Sequence, residues 1–197
     1  MQHPFETLIA SYLDNEIGIA EHFLTETLAA SLKENLLALH LAQLLLPAGT
    51  GNAKKLSHDN TIRGDAIFWL DKKHNNTHEN EFFVRIEAFI AYLNENCYAG
   101  ITGYEFHYTL YEAGAFYVRH LDRFHDDAGR AFSMISYLNA DWKETDGGEL
   151  LIHQKGSDMK ITPTNGKTVF FKSNELEHEV LRTNERRMSI TGWLKRG

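Results

Sequence analysis

Beyond residue 100 the chain stops repeating at helical spacing and breaks into short β-prone runs. That change limits the fold more than any other feature. The runs cover 103–110, 115–121, 131–138, 149–153, 159–162, 168–172, 178–181 and 188–194. Turn signals separate them, among them Asp146-Gly147-Gly148 and Thr164-Asn165-Gly166, where glycine and asparagine accept left-handed backbone. A succession of short strands behind a helical block fits an antiparallel barrel or jelly roll with helices laid against one face. The expected class is α+β with a mostly β core.

The first half reads as the helical support. Phe5, Leu8, Ile9 and Tyr12 share one helical face, and Ile17–Ala20 reads as a short strand. A long helix is expected over 25–46. Leu28, Leu32, Leu36 and Leu39 form one stripe; Leu37, Leu41, Leu44 and Leu45 widen it to a second face, so burial all round is expected. Pro47-Ala48-Gly49-Thr50-Gly51-Asn52 should end it. Residues 66–70 suit a strand and 82–98 a helix. The stretch 71–79, rich in His, Lys and Asn, reads as a mobile surface loop. With no repeat, low-complexity tract or linker, one domain over 1–197 is expected, 1–99 giving support and 100–197 carrying the site.

The formal net charge of −7 and the lack of a Lys/Arg-rich segment weigh against a nucleic-acid partner. Cys97 is the only cysteine, which removes any intrachain disulfide, and it reads as a small buried residue. No apolar run approaches the roughly twenty residues of a membrane span. The first residues lack the basic-then-apolar form of a signal peptide. A soluble, cytoplasmic protein without membrane contact is expected.

Tyr117-Val118-Arg119-His120-Leu121-Asp122 carries the first chemical signal. Residues two apart on a strand face the same way, so the His120 imidazole and the Asp122 carboxylate can meet one metal ion. Alone the pair is weak, because a buried histidine bonded to an aspartate looks the same. His178, near the start of a late run, would complete the two-histidine, one-carboxylate triad suited to non-haem Fe(II). Nine residues on, Arg187 opens Arg187-Met188-Ser189-Ile190-Thr191-Gly192-Trp193. Strand parity turns Arg187 inward and its neighbour Arg186 outward. An inward arginine fork can take a carboxylate through two bonds, which is what a 2-oxo acid co-substrate needs. His107, His125 and His153 read as structural or exposed. Tyr137, Tyr111 and Trp193 would serve equally well as packing, and Arg130 and Asp65 as solvated charges.

The chain resembles the 2-oxoglutarate-dependent prolyl hydroxylases. It is most like the oxygen-sensing subgroup that hydroxylates hypoxia-inducible factor and the bacterial relatives acting on translation elongation factor Tu. The likeness rests on Ile62-Arg63-Gly64-Asp65-Ala66-Ile67-Phe68-Trp69 and Tyr117-Val118-Arg119-His120-Leu121-Asp122 in the first part. Further on it rests on Tyr137-Leu138-Asn139-Ala140-Asp141-Trp142, Gly147-Gly148-Glu149-Leu150, His178-Glu179-Val180 and Ile190-Thr191-Gly192-Trp193. It runs from Ile62 to Trp193; the N-terminal helices match only in general character. The stretch between Tyr111 and Tyr117 is shorter than in the animal oxygen sensors, and Arg123-Phe124-His125-Asp126-Asp127 is this chain's own. Both bear on the substrate.

The resemblance implies a double-stranded β-helix, the jelly roll, with His120, Asp122 and His178 ligating Fe(II). Arg187 would pair with the distal carboxylate of 2-oxoglutarate, with the Tyr137 hydroxyl beside it and Thr191 in support. Tyr111 would lie near the metal-bound end of the co-substrate, and Leu150 and Trp193 would line the pocket. Arg130, Arg63 and Asp65 would shape the peptide entrance, and 71–79 would be the loop that covers the substrate. Fe(II), 2-oxoglutarate and O2 are the implied cofactors, with ascorbate as a stimulant. The implied reaction is hydroxylation of a prolyl residue in a protein, with elongation factor Tu a candidate, giving succinate and CO2. Two other readings stay open: the same chemistry on another residue, a free amino acid or nucleic acid, and a non-enzymatic metal or 2-oxoglutarate sensor.

Overall fold

The computed structural model describes residues 3–49, 61–122 and 129–197. Its β residues form two antiparallel sheets. The larger is assembled from β1 (Ile17–Ala20), β2 (Leu46–Pro47), β3 (Asp65–Trp69), β4 (Gly103–Tyr111), β6 (Arg130–Tyr137), β9 (Thr168–Lys172) and β11 (Arg187–Lys195), in the order β1-β9-β6-β11-β4-β3-β2. The smaller holds β5 (Tyr117–His120), β7 (Leu150–Ile152), β8 (Met159–Ile161) and β10 (His178–Val180), in the order β5-β10-β7-β8. Isolated bridges such as Arg63 to Tyr117 join them at one edge, and no continuous ladder among the described residues closes a barrel. The expected jelly roll is therefore present as an open double-sheet form.

Strand parity decides what each face of the large sheet does. On β4, β6, β9 and β11 the even-numbered Phe106, Tyr108, Leu110, Phe132, Met134, Phe170, Met188, Ile190 and Leu194 pack into one core with the helices. The odd-numbered Tyr111, Ile135, Tyr137, Val169 and Phe171 pack into a second core with Leu150, Ile152, Ile161 and Val180 of the small sheet. Both faces of the large sheet are covered, yet only β9 is nearly continuous in apolar residues; β4 and β11 still alternate, apolar on the even-numbered face. On the even-numbered face the buried Ser136 and Thr168 bond each other, and polar residues on the odd-numbered face define the site.

Three α-helices lie among the described residues: α1 (Pro4–Asn15), α2 (Glu26–Leu41) and α3 (Thr77–Cys97). Pro4 opens α1, where its missing N–H costs nothing, and Ser11 ties the helix to β1 by accepting from the Ile19 N–H and donating to the Ile17 carbonyl. Thr25 caps α2 by accepting from the Leu28 N–H. No helix among the described residues is long and apolar enough to cross a membrane.

Four expectations from sequence are corrected. The second helix ends at Leu41, not Leu46: Gln43 turns left-handed (φ 57°) and Leu46 and Pro47 pair with Ile67 and Ala66 of β3. Only the stripe through Leu28, Leu32 and Leu36 is buried; Leu41 and Leu44 stand in solvent. The stretch 71–79 is not a mobile loop. It forms a 3-10 turn (Lys72–His74) and the first turn of α3, capped by Asn76, which accepts from the His78 and Glu79 N–H groups. Most of its polar side chains are exposed, but Glu79 is buried and bonded. Glu79, 2% exposed, faces His74 Nδ1 at 3.0 Å and accepts from Asn35, which also bonds Asn76 and the Tyr108 hydroxyl. Cys97, last residue of α3, is exposed and not buried.

Candidate active site

The two histidines are placed by strand register. His120, last residue of β5, is the direct cross-strand partner of His178, first residue of β10, and Asp122 follows just past the end of β5. One ligand atom from each lies within 4.8 Å of the others. His120 Nδ1 is 2.8 Å from the Val118 carbonyl oxygen and His178 Nδ1 is 3.1 Å from that of Leu176. A carbonyl only accepts, so each Nδ1 carries the proton and donates, and each Nε2 keeps its lone pair. Those lone pairs face the Asp122 oxygens at 3.5 Å and 3.6 Å. Three acceptors converging on one point need a cation between them. The donor set, two imidazole nitrogens and one carboxylate on one side of a cavity, fits Fe(II) with positions left open.

The electrostatics agree. Burial would raise the Asp122 carboxyl, but positive charge on its His178 and His120 side, with a hydrogen bond from Ser133, holds it below the usual carboxylate range; with both imidazoles neutral, that charge is what a bound cation would supply. Burial lowers His178 to about 4, so its imidazole is neutral and free to ligate near neutral pH.

A cavity of about 360 Å³ leads from these residues to Arg187. Arg187 begins β11 opposite Tyr111, and is 1% exposed. Its Nε donates to the Gly148 carbonyl at 2.7 Å, and its guanidinium carbon lies 5.2 Å from the Tyr111 ring centre and 5.0 Å from that of Tyr137. Nη2 makes no well-formed hydrogen bond among the described residues, although the guanidinium interacts with the Tyr137 hydroxyl. A buried, unsatisfied donor on a charged group costs on the order of 1–3 kcal/mol or more, so its persistence at a cavity marks an anion position. Tyr111, Thr191, Leu150 and Trp193 line the same cavity, as expected. Tyr137 does not line it. The Tyr137 hydroxyl is buried against Arg187 without a well-formed bond to a described residue, and burial raises its pKa.

The entrance residues are less solvated than expected. Arg63 clamps Asp65 through two bonds, Nε to Oδ1 at 2.7 Å and Nη2 to Oδ2 at 2.6 Å, and Asp65 is 4% exposed. The Arg63 guanidinium lies 4.2 Å from the Tyr117 ring centre, and Tyr117 stacks on His120 at 3.6 Å. Arg130 packs over the Trp193 ring, bonds Glu105 and donates to the Asp122 backbone carbonyl at 3.3 Å. All three charged side chains sit at or against the cavity, and their charge is largely met inside the protein. His153 lies between Asp158 and Glu179, a structural arrangement; His125 lies outside the described residues.

Three contributors went unread in the sequence, and a fourth, His107, reads there only as structural or exposed. His107 is fully buried, lines the cavity beside Trp69 and Trp193, and is lowered to about 4 by burial. Gly148 supplies the carbonyl that aims Arg187. Ser133 donates to Asp122 Oδ2 at 2.6 Å, and Ser173 lies 2.9 Å from Ser133. Parity could have placed two of them, since His107 and Ser133 sit on odd-numbered, inward positions of their strands.

Comparison with known proteins places this geometry. A family model described as the 2OG-Fe(II) oxygenase superfamily matches residues 106–195. A prolyl-4-hydroxylase from Pseudomonas putida is 31% identical, with a TM-score of 0.88 over 98% of this chain and 99% of that one. A prolyl hydroxylase from Trichoplax adhaerens, solved with a hypoxia inducible factor peptide fragment, shares the fold at 24% identity and a TM-score of 0.85, over 97% of this chain and 88% of that one. A viral collagen prolyl hydroxylase from Paramecium Bursaria Chlorella virus-1, solved with 2OG, does so at 19% identity and a TM-score of 0.64, over 93% and 97%. The chain belongs to the 2-oxoglutarate- and Fe(II)-dependent prolyl hydroxylase family, and is a dioxygenase that works with Fe(II), 2-oxoglutarate and O2.

Proposed function

We propose that this chain hydroxylates a prolyl residue of a protein substrate, at C4, with His120, Asp122 and His178 as the Fe(II) ligands. The observation that carries the reading is the polarity of one cavity: converging acceptors at one end and, at the other, an Arg187 donor without a well-formed hydrogen bond among the described residues. Bound Fe(II) with 2-oxoglutarate would supply the activation of O2 that side chains cannot, releasing succinate and CO2.

The side chains bind, orient and exclude water. Asp122 would offset one charge of the metal, and the neutral imidazoles of His120 and His178 are held by their carbonyl bonds so that Nε2 points inward. Arg187 would take the distal carboxylate of 2-oxoglutarate with the donor it has spare. Tyr137, packed against Arg187, would add its hydroxyl to that carboxylate, and Thr191 would support it from the neighbouring inward position. Tyr111 would steady the metal-bound end of the co-substrate. Leu150 and Trp193 would wall the chamber, keeping water from the reacting carbon. Arg63 and Asp65, locked to each other, and Arg130, seated on Trp193, would form a fixed entrance for an extended peptide.

Elongation factor Tu, the substrate of the bacterial relatives the sequence resembles, is the first protein to try, and the cytoplasm is the setting that fits it. The test loads the protein anaerobically with Fe(II) and 2-oxoglutarate, then admits air with proline-bearing peptides of that factor. Succinate together with a one-oxygen gain at proline supports the proposal. Succinate with no modified proline in a proteome-wide search would refute the prolyl assignment, and no succinate at all would refute the ligand set.

A further inference from the structure

His120 ends β5, yet it does not sit where an unbroken strand would leave it. His178 and Val180 are two steps apart on β10, but their partners on β5, His120 and Tyr117, are three apart. The extra residue makes a bulge in β5, a device that re-aims side chains beside active sites. Residues three apart on a regular strand face opposite ways. Here the bulge brings Tyr117 and His120 to one face and leaves Val118 and Arg119 between them exposed.

The two rings brought together stack. Tyr117 and His120 lie nearly parallel, their planes 15° apart and their centres 3.6 Å apart. The Arg63 guanidinium lies 4.2 Å from the Tyr117 ring centre. Groups that close cannot share one face of a ring, so Tyr117 is held between Arg63 and His120. Arg63 is itself fixed by its two bonds to Asp65 and by a third, at 3.3 Å, to the Gly49 carbonyl. The backbone of the same segment grips the bulge: the Val118 N–H donates to the Ile62 carbonyl, and the Gly64 N–H to that of Phe116. His178 is held differently, buried at 3% exposed with the Phe171 ring meeting it edge-on.

The ring torsion of a histidine is intrinsically broad, so Nε2 is aimed only when something fixes the plane. Both restraints on His120 come out of the bulge: the stack from Tyr117 and the Nδ1 bond to the Val118 carbonyl. We propose that Tyr117 is a positioning residue that fixes the His120 imidazole plane by stacking, with the Arg63–Asp65 clamp fixing Tyr117 in turn. This rests on the reading of His120, Asp122 and His178 as the ligands. The clamp at the entrance of the cavity thereby holds the first ligand, and it acts through one aromatic ring.

The test is Co(II) binding to the full chain, read by titration and by the visible spectrum of the bound ion, beside the melting temperature of the metal-free protein. Loss of a partner behind a ligand typically costs about 10- to 100-fold in metal affinity. Y117L removes the ring but keeps an apolar side chain; it should weaken Co(II) about 10-fold and alter the spectrum. Y117F keeps the ring and should bind Co(II) as wild type does. R63K keeps a cation beside Asp65 without the planar fork, and should alter the spectrum while weakening Co(II) less than Y117L. Wild-type affinity and spectrum in Y117L would overturn the proposal. So would an equal loss in Y117F, or losses that track a fall in metal-free melting temperature. R63K indistinguishable from wild type would overturn the part given to the clamp. Should Y117L fail to fold, R63K beside Y117F decides: a shifted spectrum in the first alone supports the stack, and an unshifted one overturns it. H178A is the control: Co(II) retained there overturns the ligand set itself, whereas Co(II) lost in H178A but unaffected in Y117L overturns only the stack.

Discussion

The two ends of the cavity are unsatisfied in opposite senses. At one end His120, Asp122 and His178 bring acceptors together with no donor between them. At the other, Arg187 holds a buried donor without a well-formed hydrogen bond among the described residues. The first end is built by register, from two histidines directly opposite on paired strands of the small sheet. The second is built by parity and by one carbonyl, on the large sheet. Each end alone would be a defect of folding. Facing each other across one chamber they specify a cation and an anion joined as one ligand, which is how a chelated dicarboxylate presents itself.

The largest effect should come from removing the cation end. Replacing Asp122 or His178 with alanine should abolish succinate formation and metal binding together; activity kept in both variants would break the comparison. Removing the anion end should be milder. R187A should raise the 2-oxoglutarate dissociation constant roughly 10- to 100-fold, the equivalent of one charge-assisted hydrogen bond of about 1.5–3 kcal/mol, with metal affinity intact. R187K should recover only part, because an ammonium lacks the planar fork.

Gly148 sharpens the contrast, since the anion end depends on its carbonyl. Its φ is +65°, and an added Cβ would lie 2.9 Å from Thr183 and 3.1 Å from the Arg187 side chain. G148A should destabilise the fold by about 1–2 kcal/mol from the left-handed backbone alone. It should also raise KM for 2-oxoglutarate while leaving Co(II) affinity as it was; denaturant melts and titration read the two separately.

His107 gives the smallest effect. Its folded pKa is depressed by burial, to about 4 from 6.5. As pH falls, the unfolded chain takes the proton first, so stability present above pH 6.5 is lost as pH drops toward about 4. H107M should flatten that part of the stability curve, and an unchanged pH profile would show the imidazole to be solvated.

Much of this was legible in the sequence because a strand's period of two is strict. The eight β runs after residue 100 fall within a residue or two of their strands, and Arg187 and Thr191 face inward as their odd numbers require. What misled was polarity read as absence of structure. The His, Lys and Asn of 71–79 looked like a loop, yet Asn76 caps a helix and Glu79 is buried in a network reaching Asn35 and Tyr108. Conversely Leu41 and Leu44 looked like core and are exposed: Leu41 is the last residue of α2, off its buried stripe, and Leu44 lies past the turn at Gln43. Tyr137 lies against Arg187, its hydroxyl without a well-formed bond to a described residue. Ser133 and Ser173 carry no spacing of their own, and only the fold brings β6 and the end of β9 to Asp122.

The most direct test of the polarised cavity is a titration of 2-oxoglutarate, without oxygen, into Mn(II)-loaded protein, metal-free protein and Mn(II)-loaded R187A. Both ends should be needed: binding should be tight only to the loaded wild type, and weak to the other two, with Mn(II) affinity equal in R187A and wild type. If R187A binds 2-oxoglutarate as tightly as wild type does, the two-ended reading of the cavity is wrong.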